Sequence, residues 1–230
     1  MRHKLEPMQS LVDLSLVDLI LEKKIITIVR GTYGETLEKL AEALYKGGIR
    51  FIEITFDQKD PEGLKKTADA IRKLNGLFEG KLYVGAGTVL TEEQVRVAYE
   101  AGAKYIVSPN TNARIITLTK ELGMISIPGA MTPTEILQAH ELGADLVKLF
   151  PTASLGLNYV KDILAPISHI AIIATAGITE ENFGEFLKLG LRGAGISGRL
   201  TDKKLLATGN WEEFTRRARA FVSIAENYNA

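Results

Sequence analysis

From residue 25 onward the chain repeats one unit: a short run rich in Ile and Val, a longer stretch with apolar residues at helical spacing, and a glycine that ends it. The runs fall at 25–29, 51–56, 82–85, 104–107, 125–127, 146–150, 170–174 and 192–196. Strands that alternate with helices build parallel βαβ units, because a parallel neighbour is reached only by a crossover and the helix is that crossover. Eight successive units predict an α/β fold, a (β/α)8 TIM barrel. An open doubly wound sheet is the competing arrangement. It seldom needs eight uniform units, and no Gly-x-Gly-x-x-Gly turn follows the first run.

Punctuation along the chain agrees with this period. Leu37, Leu40, Ala41 and Leu44 share one helical face, and Gly47-Gly48 follows them. Gly102, Gly123, Gly143 and Gly190 close later helices in the same manner, at the position past the last turn that favours a left-handed residue. Helix starts are marked by Thr91, Thr132 and Thr179, with Gln94, Glu135 and Asn182 three residues on. That is capping-box spacing, and Pro133 suits a first helical turn. Setting residues 1–24 aside as an N-terminal helical extension leaves about 26 residues per unit, lean for this fold. The whole chain, 1–230, is therefore expected to form one domain, with the barrel over 25–226 and an amphipathic helix over 10–23 plugging its bottom. The acidic polar face of that helix argues against a membrane surface.

Charge and composition narrow the partners. Among 230 residues, 28 Lys and Arg balance 28 Asp and Glu, which gives no electrostatic reason to bind nucleic acid or an anionic membrane. Small molecules and proteins remain. The chain has no Cys, so thiol nucleophiles, disulfides and thiolate metal sites are excluded, and a nucleophile must be Ser, Thr, Lys, Asp or Glu. His3, His140 and His169 are scattered, without the spacing of a ligand set, and are expected to be exposed or capping residues; no metal is expected. Glu6, Asp13 and Asp18 interrupt any secretory-type apolar core, and no run approaches the roughly 18 apolar residues of a membrane span. The expected compartment is the cytoplasm.

A barrel carries its chemistry at the C-terminal ends of its strands. Two charged residues interrupt apolar runs there: Glu53 in Phe-Ile-Glu-Ile-Thr-Phe and Lys148 in Leu-Val-Lys-Leu-Phe-Pro. By strand alternation Glu53 shares a face with Phe51 and Thr55, and Lys148 with Leu146 and Phe150. If those faces point inward, an acid and an amine meet in the interior. Desolvation raises the pKa of Glu and lowers that of Lys. An amine so placed can add to a carbonyl and form a Schiff base, with the carboxylate moving protons. The plainer alternative is a structural ion pair. Arg30 after the first run is either an anion clamp or a surface residue, and Thr88 either lines the site or caps the next helix. Small residues at 175–178 and 195–199 follow the seventh and eighth runs, where this fold binds phosphate on backbone N–H groups.

The segments Gly-Gly-Ile-Arg-Phe-Ile-Glu-Ile-Thr-Phe, Val-Gly-Ala-Gly-Thr-Val, Ile-Val-Ser-Pro-Asn, Ile-Pro-Gly-Ala-Met-Thr-Pro-Thr-Glu and Val-Lys-Leu-Phe-Pro occur in this order. Together they resemble the class I aldolases of 2-keto-3-deoxy-6-phosphogluconate (KDPG), of which 4-hydroxy-2-oxoglutarate is a frequent second substrate. The resemblance runs from about Lys24 to Phe221. It implies that Lys148 forms the Schiff base and that Glu53 is the general acid and base, with a water between it and the substrate. It further implies that Arg30, Thr88, Pro109 and Phe150 line the substrate pocket and that Gly177, Ser197 and Gly198 belong to the phosphate loops. A phosphorylated sugar acid as substrate, no metal or cofactor and a homotrimer are also implied.

Three departures accompany the likeness. Asp57 stands where many members carry an Arg that holds the substrate carboxylate, Ala176-Gly177 replaces Gly-Gly, and Ser197-Gly198 replaces Gly-Ser. They keep open a second class of function, a catalytically weak barrel for phosphosugar binding or assembly. A phosphosugar epimerase or isomerase would leave the buried Lys unexplained. Asn110 and the stretch Phe-Pro-Thr-Ala-Ser-Leu-Gly also resemble the branch that acts on 2-dehydro-3-deoxy-6-phosphogalactonate.

Overall fold

The computed structural model describes residues 15–228. Its strands are β1 (Ile25–Val29), β2 (Phe51–Thr55), β3 (Tyr83–Gly87), β4 (Tyr105–Val107), β5 (Ile125–Ile127), β6 (Gly129–Ala130), β7 (Val147–Leu149), β8 (Ile172–Thr175) and β9 (Ala194–Ile196). All pairings are parallel, in the order β5-β4-β3-β2-β1-β9-β8-β7-β6. The two ends of this order, β5 and β6, are halves of one barrel strand separated by Pro128. Proline has no N–H to give to a ladder, but its carbonyl accepts from the Lys148 N–H at 2.8 Å, so the interrupted strand still bonds to β7. The barrel thus closes on eight strands, and the run expected at 125–127 proves to be the first half of the fifth.

Helices between the strands include α2 (Gly34–Lys46), α4 (Glu92–Glu100), α6 (Pro133–Glu141) and α8 (Phe183–Leu189), and α10 (Trp211–Glu226) follows the last strand. The capping boxes at Thr91/Gln94 and Thr132/Glu135 form both reciprocal bonds. The third expected box does not: α8 begins at Phe183 with Asn182 before it. The Asn182 side chain instead accepts from the Thr179 N–H at 2.8 Å and donates to the Gly177 carbonyl at 2.9 Å. It braces a loop rather than capping a helix. The closing glycines at 48, 102, 123, 143 and 190 all take positive φ, as the helix-stop reading requires.

Outward strand residues, among them Ile52, Ile54, Ile106, Val147 and Ile172, pack under the helices in one large apolar cluster. Inward residues at the lower end form a separate cluster of Ile26, Phe51, Tyr105, Ile125, Leu146 and Ile173. Ile20 of α1 (Leu16–Lys23) belongs to this second cluster, so α1 closes the bottom of the barrel. Ser15 starts that helix, accepting from the Asp18 N–H at 3.2 Å. Residues 10–14 of the expected plug lie outside the described residues. Among the described residues no helix is long and apolar enough to cross a membrane.

Candidate active site

Inward positions climb each strand in steps of two. On β2 they are Phe51, Glu53 and Thr55; on β7 and just beyond, Lys148 and Phe150; on β8, Ile173 and Thr175; on and after β9, Gly195 and Ser197. Above the apolar cluster they open into a cavity of about 400 Å³ at the C-terminal ends of the strands. Arg30, Glu53, Thr88, Pro109, Lys148, Phe150, Gly177, Ser197 and Gly198 all line it. A larger groove of about 760 Å³ lies outside the barrel between α2 and α10, but its charges are largely exposed and paired within their own helices, as Lys46 is with Glu42. The strand-end cavity holds two buried ionisable groups, Glu53 and Lys148.

Glu53 is 2% exposed. Its carboxylate lies over Gly87, where a Cβ would come within 1.7 Å of Oε1. A side chain on Gly87 would evict it. Burial pushes the Glu53 carboxyl above the ordinary glutamate range, and the charges of Lys148 and Arg30 pull in the other direction. Lys148 is 8% exposed, and its Nζ lies 5.2 Å from the centre of the Phe150 ring. In the strand order β2 and β7 stand four steps apart, on opposite walls. Acid and amine therefore face each other across the cavity, and no ion pair joins them among the described residues. A structural salt bridge would have closed that gap, whereas here the space between the two groups is open to a ligand.

Arg30 is exposed at the cavity rim and donates from Nη2 to Thr88 Oγ1 at 3.3 Å. Thr88 has φ 54°, a left-handed conformation that costs a residue with a Cβ. Its carbonyl accepts from the Gln58 side chain at 2.8 Å, and Gln58 Oε1 accepts from Gln94 at 2.9 Å. Thr91, not Thr88, caps α4. Asp57 turns away: it is exposed and accepts from the Lys59 N–H at 2.9 Å, so its charge stays in its own loop.

On the other side, Ala176 and Gly177 are consecutive left-handed residues, φ 77° and 74°. Thr152 clamps the strand before them: its Oγ1 accepts from the Thr175 N–H at 2.8 Å, and its own N–H donates to the Thr175 carbonyl at 2.8 Å. The loop after β9 turns at Ser197, whose carbonyl accepts from the N–H of Leu200 at 2.7 Å. Arg199, on the cavity wall, donates to both oxygens of Glu180 at 2.8 and 3.1 Å.

Thr175, Thr179 and Arg199 also line the cavity, although the sequence marks Thr175 and Arg199 only as ends of the two small-residue segments and Thr179 only as a helix start. Thr175 could have been found from its two-residue offset from Ile173, the alternation that selects Phe150. Arg199 could not, because it is brought in by the turn at Ser197. Two of the histidines take the exposed placement expected of them. His140 and His169 are both exposed, yet their rings meet edge to face at 5.6 Å, away from the cavity. His3 lies outside the described residues.

The family model and the curated relatives point to one group. Residues 17–217 match the family described as KDPG and KHG aldolases, KHG being the hydroxy-oxoglutarate substrate. A 2-dehydro-3-deoxy-phosphogluconate aldolase of Haemophilus influenzae is 33% identical over 91% of this chain and 96% of its own. A probable 2-dehydro-3-deoxy-6-phosphogalactonate aldolase of Rhizobium meliloti is 35% identical over 78% of this chain and 82% of its own. Among solved structures, a KDPG aldolase of Legionella pneumophila, with pyruvate captured as a covalent carbinolamine, superposes with a TM-score of 0.80. It is 25% identical, and the match covers 90% of this chain and 98% of that one.

Proposed function

Since the chain belongs to the family of KDPG and KHG aldolases, we propose that it cleaves 2-keto-3-deoxy-6-phosphogluconate to pyruvate and glyceraldehyde 3-phosphate through a Schiff base on Lys148. The observation that carries this reading is the buried pair Glu53 and Lys148, held on opposite walls of one strand-end cavity without an ion pair. At about 400 Å³ the cavity falls in the range of small-ligand sites.

In the cleavage direction the Lys148 amine adds to the keto carbon C2, and loss of water gives an iminium. Glu53 takes the proton of the C4 hydroxyl, directly or through a water. The C3–C4 bond then breaks, its electrons enter the iminium as an enamine, and the aldehyde departs. Protonation at C3 and hydrolysis of the imine release pyruvate and restore the amine. The iminium is the electron sink, so the step needs no other. A carboxylate raised by burial suits this work, because it binds and releases a proton closer to neutrality than an exposed one. With Asp57 turned outward, Arg30 and Thr88 are the groups placed to hold the substrate carboxylate. Pro109 and Phe150 supply apolar walls, and backbone N–H groups around Gly177, Ser197 and Gly198 receive the phosphate.

A second substrate reading rests on the Rhizobium meliloti relative, described as a probable aldolase of the galactonate epimer. A pyruvate-release assay over both epimers, each with and without the 6-phosphate, separates the two. A preference for the phosphorylated gluconate is expected; faster turnover of the galactonate would move the chain to the other branch. Tight binding without turnover of any of them would favour the catalytically weak barrel instead. The proposal includes a homotrimer, tested by light scattering, working in the cytoplasm, where phosphorylated sugar acids are retained by their charge. It also treats residues 1–230 as one domain, tested by a single cooperative unfolding transition.

A further inference from the structure

Tyr105 takes no part in the reaction as set out above, yet it is fully buried and faces the barrel interior from β4. Its ring leans sideways. Cδ2, Cε2 and Cζ lie 2.3, 2.3 and 2.5 Å from where a Cβ on Gly85 would stand, so a glycine there lets the ring cross β3. Gly85 pairs with Glu53 in the β2–β3 register. The ring also packs on Phe51, the residue below Glu53 on the same face, at 6.1 Å between centroids and a tilt of 60°. The side chain therefore starts on β4, crosses β3 over a glycine and packs against Phe51 of β2, one inward position below Glu53.

The hydroxyl at its tip is buried and makes no hydrogen bond of ordinary geometry; the Gly85 backbone and the Glu53 carboxylate are the polar groups that act on it. A Phe would fill the same space without leaving a hydroxyl to satisfy. Burial and the carboxylate hold the phenol protonated well above the usual tyrosine range, so it remains a donor. The charged or titratable groups facing Glu53 are Arg30 from the end of β1, Tyr105 from β4 and Lys148 from β7. The inward residues Ile28, Ile127, Ile173 and Thr175 of other strands, and the glycines of β3 and β9, carry no charge.

We propose that Tyr105 is a positioning residue for the base: its phenol donates to the Glu53 carboxylate when that group is charged, orienting it and favouring its ionised form. The consequence for turnover rests on the aldolase reading, while the proposed hydrogen bond does not.

The test is Tyr105→Phe, read first by carbon-13 NMR of glutamate-labelled protein, with the Glu53 carboxyl signal assigned by its loss in Glu53→Gln. Its titration midpoint is expected to rise by about one pH unit in the Phe variant, since a donor to the charged form is gone. The acid limb of kcat/KM should move with it. In the Glu53→Gln background the same change should alter residual turnover by less than about twofold, because no carboxylate is left to position. An unmoved midpoint overturns the proposal. If the wild type turns over no keto acid, the aldolase reading fails and the NMR comparison still decides the contact. Should Tyr105→Phe not fold, the wild type decides alone. A Tyr105 hydroxyl proton that shifts as Glu53 titrates supports the contact, and one that stays put refutes it.

Discussion

The lower and upper halves of the barrel interior are built from the same strands with the same alternation, and they are filled in opposite ways. Below, Ile26, Phe51, Tyr105, Ile125, Leu146 and Ile173 meet Ile20 of the closing helix in a dry cluster of large side chains. Above, the interior positions are Glu53, Lys148, Thr175 and Ser197, with Gly87 and Gly195 leaving room among them. Gly195 alone has Ile28 and Thr175 within 3.0 Å of where its Cβ would stand. The lower half contributes stability, since burying one Ile side chain is worth about 1.5–3 kcal/mol. The upper half gives stability up: a carboxylate and an amine are kept out of water without the ion pair that would offset their desolvation. Reactivity is thus separated from cohesion by one or two residues along each strand.

Substitutions should respect that boundary. The largest effect on turnover is expected for Lys148→Ala, a loss of at least about 10⁴-fold with the fold intact, because the nucleophile has no substitute. Measurement of kcat beside thermal unfolding checks both halves of that statement. Glu53→Gln should cost about 10²–10⁴-fold in kcat/KM and still form the pyruvate adduct. It should also raise Tm at neutral pH. The folded pKa of Glu53 lies above its unfolded value, so its neutral form is favoured on folding. That contribution is full below the unfolded pKa and is lost as pH rises through the folded one, so the gain from Gln should vanish in acid. For the same reason the acid limb of the wild-type kcat/KM profile should fall above the ordinary glutamate value of 4.5.

Gly87→Ala would put a methyl 1.7, 2.3 and 2.5 Å from Oε1, Cδ and Cγ of Glu53, so the whole side chain would have to move. The carboxylate would swing aside, and kcat of the folded fraction should drop by about 10–100-fold. Ile20→Ala, at the other end, should reverse the pattern. It should cost about 2–4 kcal/mol in a denaturant titration and leave kcat of the folded fraction unchanged. A fall in kcat at Ile20 equal to that at Gly87 would dissolve the distinction between the two halves.

What the amino-acid sequence makes legible follows from what is local. The strands and the stops at Gly48, Gly102, Gly123, Gly143 and Gly190 are set by period and by backbone conformation, and both survive into the structure. Thr179 misleads because its loop is held from outside by Asn182 bonding to Gly177, which capping-box spacing cannot register. Pro128 hides the second half of the fifth strand for a like reason, since Gly129–Ala130 is too short to show alternation. Glu53 and Lys148 stand out because each is a charge within an apolar run. Their position on opposite walls depends on strand order, and the crossing of Tyr105 over Gly85 to Phe51 depends on register between three strands. Neither relation exists along any single segment.

The central claim is that Lys148 is the residue that bonds to the keto carbon. Borohydride reduction in the presence of pyruvate, followed by peptide mass spectrometry, tests it directly. The expected result is one reduced pyruvate adduct, on the peptide containing Lys148, that survives Glu53→Gln and disappears in Lys148→Ala. An adduct on another lysine, or full aldolase turnover by Lys148→Ala, would contradict it.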